Sequence, residues 1–227
     1  TANKTFNLDA FKKNNGLDVV VKDKELSWLP MSEAYYEALK MPGLARGFFT
    51  SFRGYTNTGK STAIYEAAVG AQKIAEGNWN WSHAKNIGLV FEEVVDETTG
   101  EIIDYEGDFL FISGEDLLKR YQNFDHSNGK EGVKPLRFEP VIEDVSKLMN
   151  ELLDLQENDT LPRNICFLWD SVGSLNGFRS ATSNSNNNQW NAGSMEAAFK
   201  SLINFRIPSS RREGKPYTNT FAVVQKI

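Results

Sequence analysis

Residues 51–62 read SFRGYTNTGKST, and Gly54, Gly59, Lys60 and Ser61 satisfy the pattern G-x-x-x-x-G-K-[ST] at every fixed position. Glycines at that spacing let backbone N–H groups converge on phosphate oxygens. The lysine reaches the terminal phosphates, and the following hydroxyl ligates Mg²⁺. Such a pattern carries weight only between a strand and a helix. Upstream, PGLARG (42–47) breaks a helical pattern and the apolar run FFTSF (48–52) follows, which predicts a strand. Downstream, residues 62–77 place Ile64, Ala67, Ala68, Ala71 and Ile74 at helical spacing, which predicts a helix. The stretch therefore reads as a nucleotide phosphate cradle, with Tyr55, Thr56, Asn57, Thr58 and Thr62 completing it.

The metal that accompanies nucleotide phosphates needs a second protein oxygen, normally an acid ending an apolar strand beside the cradle. NICFLWD (164–170) is a continuous apolar run of the kind buried on both faces of a parallel sheet, and Asp170 ends it. Water activation calls for a carboxylate at the end of a neighbouring strand. LVFEE (89–93) offers Glu92 and Glu93, which alternation would send to opposite faces. Glu93 is favoured, and an acidic solvated face is the alternative for both. Gln225, ending the last predicted strand, is an amide that could sense the terminal phosphate or the attacking water, an ordinary strand-end polar residue being the alternative.

Further along the chain, MSEAYYEALKM, GEDLLKRYQNF, PVIEDVSKLMNELLDLQ and MEAAFKSLINF read as helices, and NIGLVFEE, LRF and NTFAVVQKI as strands. NLDAFKKNN reads as a short helix and LDVVV as a short strand. VVDETTGEIIDYEGDFLFIS suggests an inserted β-hairpin, DHSNGKEG a loop, and SATSNSNNNQWNAG a mobile loop whose Ser and Asn compete for backbone hydrogen bonds. Alternating strands and helices imply an α/β fold with a mainly parallel central sheet, flanked by helices and carrying an acidic hairpin. The expected division is an N-terminal appendage over 1–30 that contacts a neighbouring protomer, and an ATPase core over 31–227.

The 227 residues carry a formal net charge of −5, which argues against a generally basic DNA-coating protein. The charge is uneven. Residues 92–108 hold eight acids and no Lys or Arg, whereas 171–218 hold six basic residues against two acids. Arg179, Trp190, Arg206, Arg211, Arg212 and Lys215 supply the mixture of cations and an aromatic that single-stranded nucleic acid binding uses, an exposed connector being the alternative. The basic stretch RIPSSRREGKP has a second possible partner in the acidic hairpin of a neighbouring protomer. The sequence shows neither a membrane-spanning run nor a signal-peptide apolar region, so a cytoplasmic location is expected. Cys166 reads as a buried hydrophobe. His83 and His126 lack further metal ligands at useful spacing, and Trp79 and Trp81 read as packing residues.

Four segments stand in one order: PGLARGFFTSFRGYTNTGKST, LVFEE, ICFLWDSVGSL and FAVVQKI. Together they resemble the RecA family of recombinases, most of all phage-encoded members, over about residues 30–227. The resemblance implies a RecA-like P-loop NTPase core that binds ATP and Mg²⁺ between protomers and assembles as a filament on single-stranded DNA for recombination and repair. It assigns phosphate and metal contacts to Lys60 and Ser61, the metal-bound water to Asp170, the attacking water to Glu93, and the link between phosphate and DNA to Gln225. LNGFRSATSNSNNNQWNAG would form the first DNA-binding loop. The hairpin over 94–110 departs from the family pattern and blurs which glutamate aligns with the family's catalytic one. The family's second DNA-binding loop and remaining strands would lie beyond Ile227. A ring-shaped DNA helicase motor, a nucleotide-gated assembly protein without DNA activity, and a small-molecule kinase are the competing readings.

Overall fold

The computed structural model describes residues 7–15, 22–71, 75–76, 84–86, 88–107, 109–183 and 188–226. In chain order the strands are β1 (Trp28–Pro30), β2 (Gly43–Ala45), β3 (Phe49–Gly54), β4 (Ala75–Glu76), β5 (Glu92–Val95), β6 (Ile102–Glu106), β7 (Phe124–Asp125), β8 (Lys130–Glu131), β9 (Cys166–Trp169) and β10 (Thr220–Lys226). The helices are α1 (Leu8–Asn14), α2 (Glu33–Leu39), α3 (Lys60–Ala71), α4 (Gly114–Tyr121), α5 (Ile142–Glu157), α6 (Phe178–Ser183), α7 (Asn188–Ser201) and the short α8 (Ile207–Ser209). A π-helical stretch, Leu202–Arg206, joins the last two.

The central sheet has the order β3-β10-β9-β4, and every pair in it is parallel. Its strands alternate strictly between two cores. Phe167, Trp169, Phe221 and Val223 point to one face, against Leu117 and Tyr121 of α4, Val145 and Met149 of α5, and Phe199 of α7. Cys166, Leu168, Ala222 and Val224 point to the other, against Ile64, Tyr65, Ala67 and Ala68 of α3. All four residues of β9 are buried, as a strand covered by helices on both faces requires. Trp169, Phe199 and Phe221 stack in series at centroid distances of 5.4 and 5.6 Å, each contact adding about 0.5–1.5 kcal/mol to simple burial.

Three small antiparallel pairs surround this sheet: β1 with β2, β5 with β6, and β7 with β8. The acidic hairpin is β5 and β6, closed by a turn in which the Asp96 carboxylate accepts the N–H groups of Thr98 and Thr99.

Five local expectations change. Of NIGLVFEE, only Glu92 and Glu93 are strand among the described residues; they begin β5, which pairs with β6 rather than joining the parallel sheet. Its predicted place beside β9 is taken by β4, whose residues the helical spacing had assigned to the end of α3; α3 ends at Ala71. LRF forms no strand, because the Arg137 guanidinium turns inward to donate to the carbonyls of Tyr121 and Phe124 and to the Asp144 carboxylate. Most of the predicted polar loop is helix, with Thr182 and Ser183 hydroxyls donating to the carbonyls four residues back. DHSNGKEG, read as loop, contains the β7–β8 hairpin. LDVVV, Trp79, Trp81 and His83 lie outside the described residues.

Asp144 is fully buried and accepts from Val141 N–H, from Arg137 and from His126 Nε2 at 2.7 Å, so His126 is a structural residue. Removing one partner from such a buried ion pair costs about 3–5 kcal/mol.

Candidate functional site

The parallel sheet brings the ends of β3, β10 and β9 to one edge, where Gly54 stands opposite Lys226 and Asp170 follows Trp169, the last residue of β9. Ligands of such sheets bind at this carboxyl edge. From Gly54 the chain passes through residues 55–59 directly into α3, so the strand–loop–helix context that the glycine pattern requires is present.

The loop has the backbone of an anion nest. Asn57 (φ 61°) and Gly59 (φ 80°) are both left-handed, on either side of Thr58, and conformations of alternating hand turn successive N–H groups into one concavity. Glycine is needed at position 59 because a side chain there would be strained even though the surrounding space is open. Asn57 tolerates its conformation through its short polar side chain. The Thr58 hydroxyl and Lys60 Nζ both donate to the Tyr55 carbonyl, which folds the lysine back over the loop. The Tyr55 ring is 71% exposed at the rim.

Ser61, in the first turn of α3, and Asp170, just past β9, line one cleft of about 870 Å³. Strand alternation sends Asp170 to the α3 face of the sheet, the same side as Cys166 and Leu168, which accounts for their meeting. The opposite wall consists of Ser113, Gly114, Glu115 and Leu118 at the start of α4, with Phe138, Glu139 and Pro140. Glu115 and Glu139 are cleft carboxylates that sequence reasoning missed. Neither stands at the end of a predicted strand, and only the approach of α4 and the 138–140 turn brings them in.

Gln225 lies on the opposite face of the sheet from Asp170, and Arg53 Nε donates to its side-chain oxygen at 2.8 Å. Glu93 is on the hairpin, where it meets Lys85 at 3.6 Å with 41% of its side chain exposed. Glu93 is not among the residues lining the cleft.

The basic residues divide. Arg206 donates to Asp154 and Glu157 and to the carbonyls of Asn150, with only 18% of its side chain exposed. Arg211 pairs with Asp23 at 3.0 Å and stacks over Phe48. Arg179, Arg212 and Lys215 are exposed. Trp190 lies in the first turn of α7. Among the described residues no cluster of His, Cys, Asp and Glu forms a metal site by itself, and no helix is long and apolar enough to cross a membrane.

Fold and site together define an α/β protein whose parallel sheet carries a glycine-rich strand–loop–helix one strand away from an acid-tipped strand. The chain matches no protein-family model and no curated protein sequence.

Proposed function

We propose that this chain is a Mg²⁺-dependent ATPase of the RecA type, which binds single-stranded DNA as a filament for homologous recombination and repair. One observation carries the reading: the cradle serine, Ser61, and the strand-end acid, Asp170, line one cleft at the carboxyl edge of a parallel sheet.

The donor set fits Mg-ATP. A left-handed residue on each side of Thr58 offers N–H groups to phosphate, and Ser61 and Asp170 offer the hard oxygens that Mg²⁺ prefers. Bound Mg-ATP would supply the transferable phosphoryl group and the metal charge. Lys60 would exchange the neutral Tyr55 carbonyl for an anionic phosphate oxygen, so that both partners of the bond carry charge. Glu93 takes the water-orienting role from the family resemblance. Its exposed contact with Lys85 is worth less than about 1 kcal/mol and does not fix its side chain in place. Catalysis in this reading rests on positioning and on charge stabilisation by Lys60 and the metal-holding pair.

A second reading, a nucleotide-gated assembly protein that does not touch DNA, draws support from Arg206 and Arg211. Both guanidiniums are committed to internal carboxylates. A ring-shaped helicase motor would share the same cleft and would form closed hexamers rather than filaments in electron microscopy.

The test is Mg-ATP hydrolysis with no DNA, with single-stranded DNA and with duplex DNA, using Lys60→Ala as the blank. Stimulation specific to single strands is the expected result. Nucleotide binding without hydrolysis or stimulation would favour the nucleotide-gated reading.

A further inference from the structure

The 138–140 turn that walls the cleft is joined to α7 by an unbroken chain of side-chain hydrogen bonds. Glu139 Oε1 accepts from Asn176 Nδ2 at 3.3 Å, and Asn176 Oδ1 accepts from Asn191 Nδ2 at 3.1 Å. Asn191 Oδ1 in turn accepts the Gly177 N–H at 2.9 Å. Resting on the nucleotide reading above, we propose that Glu139, Asn176 and Asn191 are positioning residues of a relay. Through it, the charge of a nucleoside triphosphate in the cleft sets the positions of α6 and the start of α7.

The polarity of the chain is dictated from its cleft end. An ionised carboxylate only accepts, so the Asn176 NH₂ must face Glu139 and its carbonyl oxygen must face away. That oxygen selects the NH₂ of Asn191, which leaves the Asn191 oxygen for Gly177. One charge thus orients two amides in series, and amides polarised in series strengthen one another. If Glu139 is drawn toward a metal-bound charge or repelled by a terminal phosphate, Asn176 loses the acceptor that fixes its orientation.

The backbone around Asn176 is held independently, so the side chains are the adjustable part. The Asn176 carbonyl accepts from Ile142 N–H at 3.0 Å, and Phe178 N–H donates to Glu143 at 2.8 Å, both at the start of α5. The far end is closely packed: a Cβ on Gly177 would come within 2.2 Å of Ser194 Oγ and 2.6 Å of Ser194 Cβ, so α7 rests on the chain here with no slack. A reoriented Asn191 must therefore move α7 or break its bond to Gly177. This coupling does not pass through Gln225.

The experiment is amide hydrogen exchange on the full chain, with Mg²⁺ and a saturating non-hydrolysable ATP analogue, read over residues 176–183 and 188–195. Equilibrium binding of the analogue is measured first. In the wild type, exchange in these segments should change at least about threefold on binding. Asn176→Ala and Asn191→Ala should bind the analogue within about twofold of wild type and lose that change. A change preserved in both variants, or absent from a saturated wild type, would overturn the relay. A wild type that binds no analogue would overturn the nucleotide reading itself, and the relay with it. Should Asn176→Ala fail to fold, Glu139→Ala removes the first acceptor of the same chain at the cleft end, and its retained exchange response would equally overturn the proposal.

Discussion

Arg53 and Gln225 face one another in the parallel register of β3 and β10, and Arg53 Nε donates to Gln225 Oε1 at 2.8 Å. Arg53 is the residue before Gly54, so the Gln225 amide is tied to the strand that delivers the cradle. With its oxygen committed to Arg53, Gln225 presents its NH₂ at the carboxyl edge. Gln225→Ala should leave nucleotide affinity within about twofold, because the loop and Lys60 remain, and leave stability within about 0.5 kcal/mol, because the pair is exposed. Hydrolysis with single-stranded DNA should fall about tenfold or more, as when one donor to developing charge is lost. Parallel binding and steady-state hydrolysis measurements check this. Equal losses with and without DNA would remove Gln225 from any link to DNA.

Glu93→Gln tests which carboxylate acts on water. The amide is isosteric and cannot take a proton, so nucleotide binding should persist while turnover drops by about 100-fold. Single-turnover hydrolysis with prebound nucleotide separates the two effects. Normal hydrolysis by the variant would pass the role to Glu92 or to the cleft acids, Glu115 and Glu139.

The features legible in the sequence are those fixed by local pattern. The cradle, the buried β9, the hairpin turn at Asp96 and the long α5 each declare themselves through spacing, continuous apolarity or turn chemistry. What was misread depends on partners distant in sequence. Ala75 and Glu76 continue a helical spacing, yet they are strand because the backbone of Leu168 and Trp169 is there to pair with them. Glu92 and Glu93 look like a strand end, yet their ladder is formed with Tyr105 and Glu106 across the hairpin. No periodicity could show that Glu139 shares a cleft with Ser61, or that Arg206 is consumed by α5 carboxylates.

The division among the basic residues makes a separable prediction for DNA binding. Arg212 and Lys215 are exposed, and no salt bridge holds either among the described residues. Each of Arg212→Ala and Lys215→Ala should weaken single-stranded DNA affinity several-fold and lower the slope of log affinity against log salt by about 0.7, the value for one phosphate contact on a single strand. Arg206→Ala should act on stability instead. It strips Asn150, Asp154 and Glu157 of a shared donor, and a cost of about 1–2 kcal/mol in urea unfolding is expected. A salt slope unchanged in both loop variants would count for the reading without DNA.

The wall of the cleft should be acid-sensitive at one identifiable point. Ser113 and Asp116 form a reciprocal cap at the start of α4: Ser113 N–H and Oγ–H donate to Asp116 Oδ2 at 2.9 and 2.7 Å, and Asp116 N–H donates to Ser113 Oγ at 3.2 Å. The Ser113 side-chain bond, followed by its backbone bond, holds the Asp116 carboxyl below its ordinary value of 3.8. A carboxyl depressed on folding contributes stability that is complete above 3.8 and lost as pH falls through the lower folded value. The group is mostly exposed and screened, so the cap's worth is set by its hydrogen bonds, about 0.5–1 kcal/mol. Asp116→Asn should therefore be less stable than wild type by that amount at neutral pH, and the gap should narrow in urea unfolding as pH falls below 3.8 and through the lower folded value. Because Ser113 and Glu115 belong to the cleft wall, nucleotide affinity should follow the same acid limb in the wild type and lose that component in the variant. A stability gap that persists undiminished into acid would mean that the cap acts through shape alone and that the charge on Asp116 contributes nothing.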